Sequence, residues 1–192
     1  MTRFWWVRHG PTHQRAFTGW RDVPADLSDH DRIARLHAYL PQGALLISSD
    51  LTRAKATAAA LGTGRDTLPE SPALREFNFG DWDGKTFAEV AASHPEQSRA
   101  YWEQPGVIAP PNGESWNALA ERVTGQVQSL LVTHKGCDII AVAHIGVILT
   151  QVRLALNISP YQALSHHIEP LSVSQLTHDG THWQAGVINH CP

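Results

Sequence analysis

The sequence has little of several features that would place it in a special class of protein. It has only two cysteines, Cys137 and Cys191, which is too few for a disulfide framework and suits a reducing compartment. It has no basic run and a formal net charge of -3, so we expect no nucleic-acid partner. The apolar run at residues 4–7 is far too short for a signal peptide or a membrane helix. We therefore expect a cytoplasmic protein without a membrane partner.

What the sequence does have is the composition of an ordinary globular domain. Hydrophobic residues make up 42% and charged residues 17%, which is typical of a folded protein with a core. A chain of 192 residues fits one domain, and no internal repeat, low-complexity tract or linker interrupts it. We therefore predict a single domain over residues 1–192.

Three short apolar runs, at residues 4–7, 44–47 and 139–143, predict buried strands. Continuous apolar runs of this kind, separated by helical patterns, are typical of a parallel sheet that is covered on both faces. The C-terminal part alternates instead between apolar and polar residues, around a turn at Asp179-Gly180, which predicts a hairpin or edge strands.

Helical patterns fill the intervals between the apolar runs. Before the second run, Ser28 and Asp31 predict a capping box at the start of an amphipathic helix. An alanine-rich helix should cover residues 51–61, the longest helix residues 115–134, and another helix residues 145–156. The order of the elements predicts an α/β fold, a three-layer α/β/α sandwich with a mainly parallel central sheet.

Polar side chains follow each of the three predicted strands. Arg8 and His9 follow the first strand, Arg53 lies shortly after the second, and His144 follows the third. Because ligands of open α/β sheets bind at the carboxyl ends of the strands, these four side chains should converge there. Two predicted helices also begin at this edge, and their N–H groups favour an anion. The combination predicts a pocket for a dianionic phosphoryl group.

The chemistry of a phosphoryl group suggests a role for each of these residue types. A neutral imidazole can attack phosphorus and leave a labile phosphoramidate, and guanidinium groups can bind the equatorial oxygens in place of Mg²⁺. The leaving alkoxide needs a proton, and residues 74–84 offer Glu76, Asp81 and Asp83 as donors. Glu76 lies beside aromatic residues and glycines, where burial would raise its pKa, but the pattern alone does not separate it from the aspartates.

Five motifs, at residues 7–12, 48–54, 74–84, 112–115 and 142–147, occur in this order and span almost the whole chain. Together they resemble the motifs of the histidine phosphatase superfamily, the phosphoglycerate mutase-like proteins, whose Arg-His-Gly signature lies in the first motif. The resemblance implies a phosphoglycerate mutase-like fold and a reaction that needs no metal ion and no other cofactor.

The resemblance also implies a role for each candidate residue. His9 would be the phosphorylated nucleophile, and Glu76 would be the proton donor and later the base for water. Arg8, Arg53 and His144 would form the phosphate pocket. Glu76 is therefore favoured over the two aspartates.

The loop after the nucleophile offers further candidates for binding residues. Thr12 and Arg15 could contact the phosphate, and Trp20 could stack on a flat base, although aromatic residues more often pack in cores. Arg15 stands where the family commonly has an asparagine that helps to hold the phosphate. Pro11 and Ile145 also depart from the family's usual residues beside the two histidines.

Within the superfamily, residues 76–84 and 111–115 look most like those of α-ribazole phosphatases, which remove the 5′-phosphate from a benzimidazole nucleotide. The resemblance therefore implies a phosphomonoesterase that acts through a phosphohistidine on a small phosphorylated metabolite, with α-ribazole 5′-phosphate as the candidate substrate. Two alternatives stay open. One is a cofactor-dependent phosphoglycerate mutase, which usually has a longer chain. The other is a non-catalytic phosphoryl-binding module, which could lose His9 or Glu76 freely.

Overall fold

The computed structural model describes residues 1–192, which form five strands and seven α-helices. The strands are β1 (Thr2–Arg8), β2 (Leu45–Ser48), β3 (Asp138–Ala143), β4 (Val173–His178) and β5 (Trp183–Ala185). The helices are α1 (His30–Tyr39), α2 (Thr52–Leu61), α3 (Phe87–Ser93), α4 (Pro95–Glu103), α5 (Trp116–Thr133), α6 (Ile145–Leu156) and α7 (Pro160–Leu164). Two 3₁₀ turns, Pro72–Leu74 and Gly80–Trp82, lie between α2 and α3.

The five strands form one mixed sheet in the order β2-β3-β1-β4-β5. The first three strands of the chain are parallel to one another, β4 runs antiparallel to β1, and β5 runs antiparallel to β4. The predicted parallel strands and the predicted C-terminal hairpin are both confirmed. The three parallel strands form one side of the sheet, from the edge strand β2 to the central strand β1, and the antiparallel strands β4 and β5 form the other side.

Helices cover both faces of the sheet, as the continuous apolar runs predict. Side chains of β1 alternate between the two faces: Phe4 and Trp6 pack in the larger cluster with residues of α5 and α6, and Val7 packs in the smaller cluster with residues of α1 and α2. Ile139 and Ile140 of β3 divide between the two clusters in the same way. The fold is therefore the predicted three-layer α/β/α sandwich.

The start of α1 differs from the prediction by one residue. Asp29 is the N-cap, and its carboxylate accepts a hydrogen bond from the N–H of Arg32 at 3.0 Å. Ser28 lies outside the helix, and its backbone N–H donates to the Asp26 carboxylate. The capping box predicted at Ser28 and Asp31 is therefore wrong: Asp29, a capping residue as good as serine, takes the cap.

The helices α3, α4 and α7 have no counterpart among the predicted elements. α3 begins with a capping box in which Thr86 and Glu89 exchange hydrogen bonds, and α7 begins with a similar box at Ser159 and Gln162. None of the seven helices combines the length and the apolar composition that crossing a membrane requires.

Arg65 joins the C-terminal ends of α1 and α2. It is 8% exposed, and its guanidinium donates to four backbone carbonyls, those of His37, Leu40, Pro41 and Leu61. The last carbonyls of a helix have no partner within the helix, so these bonds satisfy groups that would otherwise be unpaired.

We expect Arg65→Met to lower the free energy of unfolding by about 2 kcal/mol, because it leaves buried carbonyls without a donor. Denaturation by urea, followed by circular dichroism, measures the change. An unchanged midpoint and slope would contradict this account of Arg65.

Candidate active site

The carboxyl ends of the three parallel strands lie side by side. The register pairs Arg8, the last residue of β1, with Ala143, the last residue of β3, and β2 ends beside β3 at Ser48. The N–H of His9 continues the ladder by donating to the carbonyl of Ala143 at 3.0 Å. The residues that follow β1 and β3, His9 and His144, are therefore neighbours, with ring centroids 5.0 Å apart.

The hydrogen bonds of His9 show which ring nitrogen carries the proton and which carries the lone pair. Nδ1 of His9 lies 2.7 Å from the carbonyl oxygen of Gly10, and a carbonyl only accepts, so Nδ1 carries the proton. Nε2 then has the lone pair, and Nε–H of Arg53 donates to it at 3.2 Å. The same Arg53 nitrogen lies 3.2 Å from Nδ1 of His144. Nε2 is the atom with which His9 could attack an electrophile.

Burial keeps both imidazoles neutral. It lowers the pKa of His9 to about 3, and the charges of Arg53 and Arg8 act in the same direction, against the hydrogen bond to Gly10. Burial also holds the pKa of His144 well below its usual value, with further contributions from His9 and Arg53. A neutral His9 at neutral pH has the lone pair that nucleophilic attack on phosphorus requires.

The loop after β1 holds Arg53 in place. Arg53 is 1% exposed, and its Nη atoms donate to the carbonyls of Gly19 at 2.7 Å and of Arg21 at 3.1 Å. The Asp22 carboxylate caps α2 by accepting from the N–H of Thr52 at 2.8 Å. The loop and the first turn of α2 therefore fix the direction of the guanidinium.

Two hydrogen-bond donors of the site have no partner. Nη1 of Arg8 donates to the carbonyl of Ile168 at 2.5 Å, but Nε of Arg8 and Nε2 of His144 are buried and unpaired. Buried donors are normally satisfied. The guanidiniums of Arg8 and Arg53 and the Nε2–H of His144 together have the chemistry to bind a dianionic phosphoryl group.

Glu76 brings a carboxyl group to the same cavity as His9. It is 5% exposed, and its Oε1 accepts from the N–H of Phe77 at 3.0 Å and of Gly146 at 3.1 Å. Burial raises the pKa of Glu76, although these two hydrogen bonds and the charges of Arg53 and Arg8 oppose the shift. A carboxyl with a raised pKa can serve as a general acid.

The two rival aspartates are engaged elsewhere. Asp81 accepts from the side-chain amide of Asn112, with both oxygens 3.1 Å from the nitrogen. Asp83 accepts from two backbone N–H groups of the loop after β1. Neither lines the cavity, so the structure brings Glu76, and not the aspartates, to His9. Nowhere in the chain do three His, Cys, Asp or Glu side chains lie together as the ligands of a metal ion would.

The cavity has a volume of about 340 Å³, and its lining combines polar and apolar residues. The ionisable residues of the lining are His9, Arg8, Arg53 and Glu76, and no other cationic side chain lines the cavity. Nine of its 17 lining residues are hydrophobic, so the remaining wall is mostly apolar. The aromatic part of this wall consists of Phe17, Phe77, Phe79, Phe87 and Trp102.

The three further candidates from the loop after β1 are placed differently. Thr12 lines the cavity, whereas Arg15 is exposed and lies outside the lining. Trp20 also lies outside it: the indole N–H donates to the carbonyl of Glu76 at 2.8 Å, and the Arg75 guanidinium lies over its ring at 4.9 Å. The structure therefore places Trp20 beside the Glu76 backbone and outside the cavity.

Several residues that shape the site were not predicted. Thr57 accepts from the N–H of Gly10 and donates to the carbonyl of Arg53, and its position one helical turn after Arg53 was an available signal. Gly146 lets α6 approach the acid: a Cβ there would lie 2.4 Å from Oε1 of Glu76. Phe87 of α3 and Trp102 of α4 complete the aromatic wall, and no motif marked these two residues.

Three parallel strands whose carboxyl ends present a neutral histidine, one buried and one half-buried arginine and a protonatable glutamate indicate a protein that handles phosphoryl groups. Residues 4–190 match the family model of the histidine phosphatase superfamily (branch 1). The chain belongs to this superfamily, and the resemblance seen in its motifs is confirmed.

Relatives of this chain within the superfamily are named as phosphatases of different substrates. A glucosyl-3-phosphoglycerate phosphatase from Mycolicibacterium vanbaalenii is 36% identical over 174 residues, which cover 82% of this chain and 76% of that protein. An adenosylcobalamin/alpha-ribazole phosphatase from Salmonella typhimurium is 28% identical over 171 residues, or 85% of this chain and 84% of that protein. Mycobacterial relatives that are 32% identical over 189 residues are longer, and the chain spans about half (51%) of their length.

A solved structure, Bacillus stearothermophilus YhfR, shares the fold with a TM-score of 0.91 at 27% identity. The match covers 100% of this chain and 98% of that chain. It confirms the predicted phosphoglycerate mutase-like α/β fold.

Proposed function

We propose that the chain is a phosphomonoesterase that passes the phosphoryl group of a small phosphate monoester through His9 to water. The observation that supports this most is one cavity that holds a neutral His9, with Nε2 unprotonated, and Glu76, whose pKa is raised by burial. A nucleophile and an acid with separated protonation states are what this reaction requires.

In the first half of the reaction, the Nε2 lone pair of His9 forms a bond to phosphorus and the bond from phosphorus to the ester oxygen breaks. Glu76 gives its proton to the departing alkoxide, which leaves as an alcohol. The guanidiniums of Arg8 and Arg53 and the ring Nε2–H of His144 offset the negative charge on the equatorial oxygens. The products of this half are phosphohistidine at residue 9 and a Glu76 carboxylate.

In the second half, the Glu76 carboxylate takes a proton from water while the water oxygen attacks phosphorus. The phosphorus–nitrogen bond breaks, its electron pair returns to Nε2 of His9, and inorganic phosphate leaves. The guanidiniums supply the positive charge, so the proposal includes no metal ion. We expect hydrolysis of p-nitrophenyl phosphate to continue in EDTA; a loss that added metal restores would contradict the arginine-based mechanism.

Two alternatives are less well supported. A phosphoglycerate mutase must also bind the carboxylate of its substrate, and the only cationic side chains in the cavity, Arg8 and Arg53, are the two that this proposal assigns to the phosphoryl group. A non-catalytic binding module has no need of a neutral nucleophile beside an acid, yet His9 and Glu76 line one cavity here.

The apolar wall favours a substrate whose leaving alcohol carries a flat aromatic group. α-Ribazole 5′-phosphate presents a benzimidazole base, which could lie against Phe87 and Trp102, while its ribose hydroxyls could meet Thr12, Gln14 or Thr18. Glucosyl-3-phosphoglycerate presents a sugar and a carboxylate, for which the wall offers no additional cation. We therefore propose α-ribazole 5′-phosphate as the better substrate of the two.

We expect kcat/KM for α-ribazole 5′-phosphate to exceed the values for glucosyl-3-phosphoglycerate and 3-phosphoglycerate. Phe87→Ala should reduce the first value by about 5- to 100-fold, the size of a lost stacking contact, and should change a small alkyl phosphate little. Phe87 is 60% exposed, so the variant should fold. Tyr39→Ala, which removes another exposed aromatic side chain outside the cavity, serves as the control. A preference for either phosphoglycerate would contradict the substrate assignment.

A further inference from the structure

The segment that carries Glu76 has no regular secondary structure of its own. It lies between the 3₁₀ turns Pro72–Leu74 and Gly80–Trp82, so most of its backbone groups have no helix or sheet partner. A general acid must nevertheless stay within about an ångström of its working position, because small displacements can cost 10²-fold in rate. The hydrogen bonds of this segment therefore matter to the chemistry.

Arg122 of α5 supplies the missing donors. Its Nη1 donates to the carbonyl of Ala73 at 2.9 Å and to that of Arg75 at 2.7 Å. Its Nη2 donates to the carbonyl of Glu76 itself at 2.7 Å. One guanidinium thus binds three carbonyls within four consecutive residues and ends at the acid.

Glu114 fixes the direction of that guanidinium. Its two carboxylate oxygens accept from Nε and Nη2 of Arg122 at 2.7 and 2.9 Å, which is a bidentate pair. Oε2 of Glu114 also accepts from the N–H of Asn78 at 2.9 Å, and the N–H of Glu114 donates to the carbonyl of Asn78 at 2.7 Å. The pair therefore binds the backbone on both sides of Glu76.

The backbone around Glu114 packs too closely to move alone. A Cβ on Gly113 would lie 2.5 Å from the carbonyl oxygen of Asn78, so the two segments are in backbone contact. The side chains of Arg122 and Glu114 are 19% and 17% exposed, which shields their pairing from water. Neither residue lines the cavity, so their effect on the reaction is indirect, and the hydrogen bonds of Arg122 lead to the backbone of Glu76.

We propose that Arg122, oriented by Glu114, is a positioning residue that holds Glu76 where it can protonate the leaving group. This inference rests on the proposed function, in which Glu76 is the acid. Without Arg122, the carbonyls of Ala73 and Arg75 lose their donor, and the segment should shift toward solvent to hydrate them.

Two consequences distinguish positioning from general stability. Esters with poor leaving groups need the acid and should be slowed, while esters with good leaving groups should be affected little. In addition, a more hydrated Glu76 should lose part of the burial that raises its pKa, so the basic limb of the rate profile should move to lower pH.

The test compares kcat/KM for n-butyl phosphate and for p-nitrophenyl phosphate, because kcat/KM reports the steps up to phosphorylation of the enzyme. For Arg122→Met we expect a loss of about 10- to 100-fold on the alkyl ester and of less than about 3-fold on the aryl ester. Arg122→Lys should recover part of the loss, and Glu114→Gln should show the same selectivity with a smaller effect. If Arg122→Met does not fold, the Lys and Gln variants decide.

Arg65→Met is the matched control, since Arg65 also binds a set of backbone carbonyls but lies outside the cavity. It should lower stability without any selectivity between the esters. Glu76→Gln is the reference. If Glu76→Gln loses more activity on the alkyl ester than on the aryl ester, but Arg122→Met loses the same activity on both, the positioning role alone is overturned. No selective loss in Glu76→Gln would overturn the proposed function. Adding Arg122→Met to Glu76→Gln should bring no further selective loss, and an additive loss would also overturn the inference.

Discussion

Replacing His9 by alanine should remove turnover of every phosphate monoester while the protein stays folded. Without the imidazole there is no acceptor for the phosphoryl group, and water would have to attack the ester directly. We expect a loss on the order of 10⁴-fold or more, in line with the removal of nucleophiles from other covalent enzymes. His9 follows β1 and contacts Gly10 and Arg53, so few of its contacts belong to the apolar core.

Initial rates with p-nitrophenyl phosphate and a thermal unfolding curve measure the two parts of this prediction. His13→Asn is the matched control: His13 is exposed, pairs only with Asp26, and has a backbone φ of 55°, which asparagine tolerates. The control should keep its activity within about 3-fold, as surface substitutions usually do. Substantial turnover by a folded His9→Ala variant would place the nucleophile elsewhere.

Glu76→Gln should lower kcat for alkyl phosphates by about 10²–10⁴-fold, the usual contribution of a general acid. The change keeps the shape of the side chain and removes its proton. Aryl esters with good leaving groups should lose less in the phosphorylation step. Burst kinetics separate this step from hydrolysis of the phosphoenzyme, which also uses Glu76. Unchanged activity on alkyl phosphates would end the assignment of Glu76 as the acid.

The pH dependence of the same step follows from two pKa shifts of opposite direction. Burial lowers the pKa of His9 to about 3, so the nucleophile is neutral above that pH. Burial raises the pKa of Glu76, so the acid keeps its proton to a higher pH than an ordinary carboxyl does. The rate with an alkyl phosphate should therefore fall as the pH rises through the pKa of Glu76, and this limb should be absent in Glu76→Gln.

The sheet could be predicted from the sequence because a covered parallel strand needs a continuous apolar run. The predicted runs 4–7, 44–47 and 139–143 correspond to Thr2–Arg8, Leu45–Ser48 and Asp138–Ala143. The helices α2, α5 and α6 have long alanine-rich or amphipathic patterns and were predicted within one or two residues at each end. In these elements, the buried positions are mostly apolar, so the sequence pattern shows them.

The helices α3, α4 and α7 could not be predicted in the same way because they bury little. Val90 is the only buried residue of α3, and Ala163 is the only one of α7. A short helix with one buried position has no apolar stripe that periodicity could reveal. Thr86 and Glu89 were an available signal, since a capping box marks a helix start without any periodicity.

Some residues of the site could be predicted from the sequence and others could not. The convergence of His9, Arg53 and His144 could be predicted because it follows from the topology of the sheet. The choice of Glu76 over its neighbours depends on contacts that are distant in sequence, such as the N–H of Gly146 that donates to its carboxylate, and the residues alone left it open. The stacking role of Trp20 stays a prediction, and the sequence could not show that its indole N–H binds the carbonyl of Glu76.

The phosphohistidine itself is the most direct test of this account. Glu76→Gln mixed with p-nitrophenyl phosphate should form the phosphoenzyme, because this ester needs little acid, and should retain it, because water is no longer activated. Rapid quenching and mass spectrometry of the peptides should then find an acid-labile, base-stable phosphoryl group on His9, absent when His9→Ala is added. A phosphoryl group on any other residue, or one that survives the loss of His9, would contradict the account.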